Sequence, residues 1–314
     1  MSSPSLAAFS GALRLHDWGV IRASGTDAAT FLQGQLTNDV VGLGSGTARL
    51  AGYCSAKGRL LATFVVWRDA AGDLLLGCSA DVLAPTLKRL SMFVLRAKCR
   101  LSDASAEVPL WGLAGAAAEG LPAWGSLRQP WCAAPSDEGG QLIRLPDAVV
   151  EGQALPRVLR SGAAGTDAGP VLDDDAWRWL EVHSGTARIT AATVEQFVPQ
   201  MVNLEAVGGV SFQKGCYPGQ EVVARSQYRG TLKRRAYLVR SDEPLQAGQE
   251  VFDENDPDQP AGRVVLGAGH AGSFAGLVEL KIAAADAGAL HAGRADGPKV
   301  RLAALPYELP GAAA

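Results

Sequence analysis

The sequence lacks paired cysteines. Its five cysteines are an odd number, widely spaced and without a C-x-x-C pair. This pattern predicts neither a disulfide framework nor a zinc knuckle, and it favours a reduced compartment. The five are Cys54, Cys78, Cys99, Cys132 and Cys216.

Long hydrophobic runs are also missing. The two longest stretches without Asp, Glu, Lys or Arg, 108–118 and 264–278, are interrupted by glycine. Both are shorter than the roughly 20 apolar residues that a membrane helix needs. The N-terminal residues lack the basic start, apolar core and cleavage site of a secretory signal. We therefore expect a cytoplasmic protein with no membrane partner.

Positive charge is scarce as well. There are 29 Lys and Arg against 32 Asp and Glu, which gives a formal net charge of -3. A chain without a global positive field is not expected to bind nucleic acid directly. Hydrophobic residues make up 47% of the chain and charged residues 19%, a balance typical of a packed globule.

The remaining pattern predicts an α+β fold. Alternating apolar segments from residue 47 to 79 predict a three-stranded antiparallel meander, and a helical stripe follows from Asp81 to Lys98. Three acids at Asp173–Asp175 suit the start of a helix that ends at Gly185. The chain of 314 residues then becomes strand-rich. We place one domain at 1–235 and a small C-terminal β domain at 236–314.

A G-x-G-x-x-G pattern occurs at 267–272. The residues after it read as another strand, whereas a dinucleotide-binding loop opens a helix. We therefore predict a hairpin loop there, not a nucleotide site.

The segment 211–225 has the most chemical content. It combines the Cys216 thiol, the Lys214 ammonium, amide and charged groups, and a Pro218-Gly219 turn. We expect Cys216 to lie on a shaped loop before a strand, EVVAR, with Lys214 favouring a thiolate if the two side chains converge. A turn with a buried, unreactive cysteine is the alternative.

Two further features are open to more than one interpretation. A basic cluster without acids follows the loop, and it is either a solvated face or a site for a carboxylate-bearing ligand. Its members are Arg225, Arg229, Lys233, Arg234 and Arg235. His183 is either a packed residue or the partner of Cys216 in a thiol–imidazole pair. Trp177 and Trp179 cannot share one helix face, so we expect one in the core and the other against a planar ligand.

The motif KGCYPGQEVVAR at 214–225 resembles the signature of the YgfZ-type folate-binding proteins. These proteins assist iron–sulfur enzymes and are relatives of the glycine-cleavage aminomethyltransferase. Further segments before and after this motif are similar to the family pattern and occur in the same order. The resemblance spans nearly the whole chain and is weakest between about 110 and 170. These segments are GTDAATFLQGQLTNDV, CSAKGRLLATFVVWR, QFVPQMVNLEAVGGVSF, RGTLKRR and LPYEL.

The resemblance implies an aminomethyltransferase-like body that binds tetrahydrofolate, with a C-terminal β-barrel. It implies that Cys216 is the functional thiol, assisted by Lys214. The residues expected at the folate are Trp18, Trp177, Gln220, Glu221, Arg225, Tyr228 and Arg235. The implied function is support of iron–sulfur cluster assembly or repair, with transient client enzymes that include radical enzymes modifying tRNA.

Two departures from the family pattern stand out. Leu60-Leu61-Ala62-Thr63 occupies the segment where aminomethyltransferases carry a catalytic carboxylate, so aminomethyl transfer should be absent. His183 stands where many relatives have glutamate, which bears on pterin recognition. A one-carbon folate transferase and a Cys216-dependent transferase or hydrolase remain as alternatives.

Overall fold

The computed structural model describes residues 6–162, 170–228 and 232–310. The strands of the body, in chain order, are β1 (Gly11–Arg14), β2 (Trp18–Ser24), β3 (Arg49–Cys54), β4 (Leu60–Arg68), β5 (Leu74–Ser79), β6 (Arg100–Asp103), β7 (Leu110–Ala114), β8 (Ala133–Pro135), β9 (Gln141–Val150) and β10 (Gln153–Ser161). The strands of the C-terminal part are β11 (Arg234–Ser241), β12 (Glu250–Asp253), β13 (Asp256–His270), β14 (Ser273–Lys281), β15 (Leu290–Ala292) and β16 (Lys299–Ala303). The α-helices are α1 (Ala28–Gln33), α2 (Ala80–Met92), α3 (Ala116–Glu119), α4 (Asp174–His183), α5 (Gln220–Tyr228) and α6 (Ile282–Ala287).

The body contains two five-stranded sheets, with strand orders β3-β4-β5-β2-β6 and β1-β7-β10-β9-β8. The strands β3, β4 and β5 pair antiparallel in sequence order, which confirms the predicted meander. Strands β11 to β16 close into a barrel, in the order β11-β14-β13-β12-β15-β16. The α+β class with a C-terminal barrel is thus confirmed.

Helix α4 lies between the body and the barrel. Asp173 caps its start by accepting a hydrogen bond from the backbone N–H of Asp175, at 3.1 Å. Gly185 follows its end with a φ of 63°, a left-handed conformation that suits glycine. The helix packs on β9, β13 and β14, and its Trp179 belongs to the hydrophobic core that joins the body to the barrel. Because α4 packs on both parts, its orientation determines which of its residues face the body.

Three local predictions are corrected. Helix α2 ends at Met92, not Lys98, because the chain turns through Leu95, whose φ is 43°. The sequence predicts Pro85 in the first turn of that helix, but it lies in the second turn, because the helix begins at Ala80. The residues EVVAR form helix α5, not a strand. Their β-branched valines favour a strand. Only Val223 is fully buried, however, which is typical of a helix that packs on one face.

The glycine-rich pattern at 267–272 spans the turn between β13 and β14. The predicted hairpin is therefore confirmed. Within the described ranges, no helix is long and apolar enough to cross a membrane.

Candidate functional site

A narrow cavity opens in the body where the start of β2 meets the end of α4. It contains about 420 Å³ of unfilled space, counting its open mouth. Its walls combine apolar and aromatic surface with a few charged groups. The lining residues are Trp18, Leu50, Thr63, Phe64, Val65, Trp131, Leu145, Pro146, Arg157, Glu181, Ser184, Thr186, Ala187 and Arg188.

Arg188 organises the charges of this cavity. Its guanidinium forms ion pairs with Glu181 at 3.0 Å and with Asp17 at 2.7 Å. It also donates a hydrogen bond to Ser79 Oγ at 2.9 Å. Burial lowers the pKa of Arg188, but Glu181 and Asp17 more than offset it and hold that pKa above its usual value. The cavity therefore keeps a cation and a carboxylate fixed against each other.

The indole of Trp18 forms one wall. The Arg188 guanidinium carbon lies 5.1 Å from the centre of this indole, close enough for a cation–π contact. Among the described residues, Trp18 Nε1 and Arg188 Nε are buried without a hydrogen-bond partner. Glu181 accepts from Arg188 with Oε2. Buried donors without partners are costly, so a ligand that reached these two N–H groups would gain hydrogen bonds there.

Arg157 also lines the cavity, and Trp177 lies against it. The guanidinium of Arg157 donates two hydrogen bonds to Pro146 O, at 3.1 and 3.0 Å, and burial lowers its pKa to about 10. It lies 5.5 Å over the indole of Trp177. Trp177 is buried and its ring fills the space over Gly112. Trp177 therefore supports Arg157 and does not line the cavity itself.

Thr63 occupies the cavity wall in the segment where the family's transferases carry a carboxylate. Its hydroxyl accepts a hydrogen bond from the backbone N–H of Ile189 at 3.0 Å. A hydroxyl held in this way cannot supply the negative charge of a catalytic carboxylate. The expected absence of aminomethyl transfer stays a prediction.

Cys216 lies on a separate, exposed loop that does not line the cavity. The turn Pro218-Gly219 leads from it into helix α5. Gly219 has a φ of 79°, and a Cβ there would lie 2.4 Å from Ser55 O and 2.6 Å from Gly58 Cα. Only glycine fits this contact, which holds the thiol-bearing loop against the turn between β3 and β4.

Lys214 anchors the same loop. Its ammonium donates to Gln33 O and to Leu36 O, the latter at 2.7 Å, at the end of helix α1. It also lies 4.8 Å over the ring of Tyr217. Burial lowers the pKa of Lys214 to about 8, although Asp39 and Cys216 act in the opposite direction. Within the described residues no hydrogen bond joins Lys214 to Cys216, so the ammonium primarily fixes the loop.

The basic cluster is dispersed. Arg225 pairs with Glu221 at 2.6 Å on the exposed face of α5. Arg235 is buried in an ion pair with Glu205, and Arg234 pairs with Glu279. Lys233 is exposed, and Arg229 lies outside the described residues.

The last two residues expected at the folate lie at the ends of α5. Gln220 is its first residue. Tyr228 ends it, and this exposed ring meets Phe212 edge to face at 5.8 Å. None of Gln220, Glu221, Arg225, Tyr228 and Arg235 lines the Trp18 cavity. Their contact with a folate stays a prediction.

His183 lies on the opposite side of α4 from this cavity. Its ring stacks on Trp179 with centres 4.4 Å apart, and its Nδ1 lies 2.9 Å from Trp179 O. Burial lowers its pKa to about 4. It lines a cavity with Arg240, next to the barrel, that Cys216 does not share. The described residues therefore contain no thiol–imidazole contact.

Sequence reasoning missed Glu181, Arg188 and Trp131. Glu181 lies four residues after Trp177, one helical turn on, so the helix spacing contained a signal for it. Trp131 lies in an irregular segment, with a φ of 69°, and no periodicity points to it. Across the described ranges, no group of three or more His, Cys, Asp or Glu side chains could hold a metal ion.

Comparison with curated proteins decides the family. The chain is 34% identical over 239 residues to the tRNA-modifying protein YgfZ of Photobacterium profundum, covering 72% of this chain and 69% of that protein. It is 36% identical over 238 residues to the protein of the same name from Edwardsiella ictaluri, covering 73% and 70%. The chain belongs to the YgfZ family. The resemblance expected from KGCYPGQEVVAR is thus confirmed.

A solved structure supports the fold of this YgfZ-family chain. The chain is similar in structure to the glycine cleavage system aminomethyltransferase T of Bartonella henselae, with a TM-score of 0.62 and 16% sequence identity. The match covers 96% of this chain and 89% of that one. At this identity the likeness concerns the fold. No family model matches the chain.

Proposed function

We propose that this protein is a cytoplasmic, tetrahydrofolate-binding accessory protein in tRNA modification. It would support assembly or repair of iron–sulfur clusters in client enzymes, including radical enzymes that modify tRNA. The relatives' shared name, tRNA-modifying protein YgfZ, supports the tRNA-modification role. The observation that carries the folate proposal is the cavity with its orphaned Trp18 and Arg188 N–H groups.

The cavity's chemistry suits a reduced pterin. This heterocycle offers ring acceptors, amino and amide donors, and a flat apolar surface. The Trp18 indole and Arg188 Nε would donate to acceptors, and Glu181 would accept from N–H groups. Arg157 and Arg188 would favour the anionic glutamate tail or an electron-rich ring edge. When bound, the folate supplies one-carbon or redox chemistry, but Thr63 offers no carboxylate to promote aminomethyl transfer.

Cys216 would act on the cluster, which is cargo and not a resident cofactor. Iron–sulfur clusters usually take four protein ligands, and a single thiol supplies one. Cys216 would therefore serve as a transient ligand or redox group while the client supplies the other ligands. Its exposure on a loop held by Lys214 and Gly219 supports such a role.

Folate binding is tested by calorimetric titration with tetrahydrofolate. We expect Trp18→Leu to weaken binding by at least about tenfold, since it removes the indole N–H and its flat face. Trp111→Leu is the matched control, because Trp111 is also partly buried but lies outside the cavity. Wild-type protein that binds no tetrahydrofolate, or equal affinity in the two variants, would overturn the site.

The thiol role is tested in bacterial cells that lack their own YgfZ-family protein. The readout is the level of a tRNA modification made by an iron–sulfur radical enzyme. Cys216→Ser should abolish support, whereas Cys132→Ser should retain it. Cys216→Ser should also bind tetrahydrofolate normally, because Cys216 does not line the cavity. Full support by Cys216→Ser would refute the thiol role and leave the folate proposal standing.

A further inference from the structure

The outer face of helix α2 carries a groove that the folate proposal does not use. The residues Pro85, Lys88, Arg89 and Met92 recur at spacings of three and four, so they form one stripe along the helix. This stripe faces a groove with about 690 Å³ of unfilled space open to solvent. Leu61, Val82, Thr86 and Val194 complete its lining.

The chain beyond this helix extends the apolar surface. Met92 is 59% exposed, Phe93 44% and Leu95 87%. Leu95 also has a φ of 43°, a left-handed conformation that is uncommon for a branched side chain. Large apolar side chains that lie next to each other on a surface mark interaction sites more often than isolated ones do.

The basic charges near this surface come from one segment of the chain. Between residues 82 and 102 the sequence contains no Asp or Glu, but five basic residues. They are Lys88, Arg89, Arg96, Lys98 and Arg100, and all are exposed. Arg89 lies 6.0 Å over the ring of Phe93, which joins the basic and apolar parts.

These basic side chains lack acidic partners. Within the described residues none of the five forms an ion pair. Two carboxylates in neighbouring segments bind backbone groups: Asp81 accepts a hydrogen bond from the N–H of Ala191, and Asp27 accepts one from the N–H of Lys98. This contrasts with Arg22, Arg188 and Arg235, each of which has a carboxylate partner. The α2 surface is therefore a positive patch on a protein whose net charge is -3.

We propose that the α2 surface, defined by Lys88, Arg89, Met92, Phe93, Leu95 and Arg96, is the docking site for an acidic amphipathic helix of a protein partner. The apolar stripe of that helix enters the groove, and its carboxylates face cations that have no carboxylate partner within the described residues. An RNA strand would pair with the cations but would leave the apolar groove unfilled, so the combination favours a protein. The surface shares no residue with the Trp18 cavity and is independent of the folate proposal.

The experiment uses the full chain and a fluorescent synthetic peptide of about 18 residues, read by anisotropy. The peptide has leucines at helical spacing and glutamates elsewhere, and a scrambled peptide of the same composition is the first control. Lys88→Glu with Arg96→Glu should weaken binding of the patterned peptide by at least about tenfold. The matched control is Arg128→Glu with Lys299→Glu, two exposed sites with the same change in net charge, which should bind within about twofold of wild type.

The contribution of the apolar residues of the α2 surface is tested by Leu95→Gly. Glycine suits the left-handed backbone, so this variant should be at least as stable to heat as wild type. It should nevertheless weaken peptide binding by roughly threefold or more, because it removes an exposed apolar contact. Val171→Ser, at another exposed apolar residue, should leave binding unchanged.

Several results would overturn the inference. They are absent binding of the patterned peptide, equal binding of the scrambled peptide, and equal losses in the two charge-reversal pairs. Tighter binding of tRNA, lost in Lys88→Glu with Arg96→Glu, would assign the surface to RNA instead. Normal tetrahydrofolate binding by all these variants would show that the folate site is intact in each case.

Discussion

The Trp18 cavity and the Cys216 loop hold their functional groups in opposite ways. In the cavity, Glu181 and Arg188 are buried and joined in an ion pair with Asp17. On the loop, Cys216 is exposed, and its position depends on the backbone contacts of Lys214 and Gly219. The difference separates binding of a small ligand from action on a partner protein: a largely buried polar site suits a small ligand, whereas an exposed thiol suits a macromolecular partner.

The strongest test of this comparison is Arg188→Met. Removing the guanidinium leaves the buried carboxylate of Glu181 without its counter-charge, beside Asp17. We expect a loss of about 3 to 5 kcal/mol in the free energy of unfolding, measured by urea denaturation. The double variant with Glu181→Gln should recover part of this loss, since it removes the uncompensated charge. A loss below about 1 kcal/mol would mean that the cavity charges are well solvated.

A second test concerns the far side of helix α4, where His183 is buried. Its pKa is about 4 in the folded protein against 6.5 in the unfolded chain. Between these values the unfolded chain binds more protons, so the folded state loses stability as the pH falls from 6.5 toward 4.

His183→Phe keeps a ring against Trp179 and removes this titration. Relative to the variant, the wild type should lose up to about 3 kcal/mol between pH 7 and pH 4, at about 1.4 kcal/mol per pKa unit. The measurement is urea denaturation at the two pH values. If the stability of the two proteins changes with pH in the same way, His183 is open to solvent, and burial of charged groups is limited to the cavity side of α4.

A third test addresses the loop through its glycines. Gly219→Ala forces a Cβ against Ser55 O and the Gly58 backbone at a positive φ. We expect it to cost about 1 to 3 kcal/mol of stability and to reduce the cellular activity that depends on Cys216. Gly215→Ala, one residue before the cysteine, has no atom within 4 Å of the new Cβ and should change stability by less than about 0.5 kcal/mol. Equal effects would show that Gly219 has no special positioning role.

The same contrast explains what could be predicted from the sequence. The meander of β3 to β5 and helix α4 follow from local apolar periodicity and from the Asp173 cap, so both were predictable. Helix α5 was not, because its valines favour a strand while burial of one face decides for a helix. The cysteine loop was found because a short contiguous motif contains it.

The cavity was only partly predictable. Trp18 and Trp177 came from the family resemblance, but only Trp18 lines the cavity. Glu181 and Arg188 are only seven residues apart, but Arg157 and Trp18 reach the cavity from other segments, and no local pattern records that these residues meet. A charged residue in sequence is normally exposed, so its burial in an ion pair becomes visible only in three dimensions.

The smallest expected effect concerns Arg225, and it sharpens the comparison most directly. Its pair with Glu221 is exposed on helix α5, so Arg225→Met should change the free energy of unfolding by less than about 0.5 kcal/mol. Tetrahydrofolate titration of this variant then tells whether Arg225 contacts the folate or serves only the Cys216 loop, which the motif alone does not distinguish. If Arg225 serves only the loop, affinity stays within about twofold of wild type. If the affinity falls tenfold while stability is unchanged, the folate reaches α5. Folate binding and the action of the Cys216 thiol would then share one site, and the proposed separation of the Trp18 cavity from the Cys216 loop would be wrong.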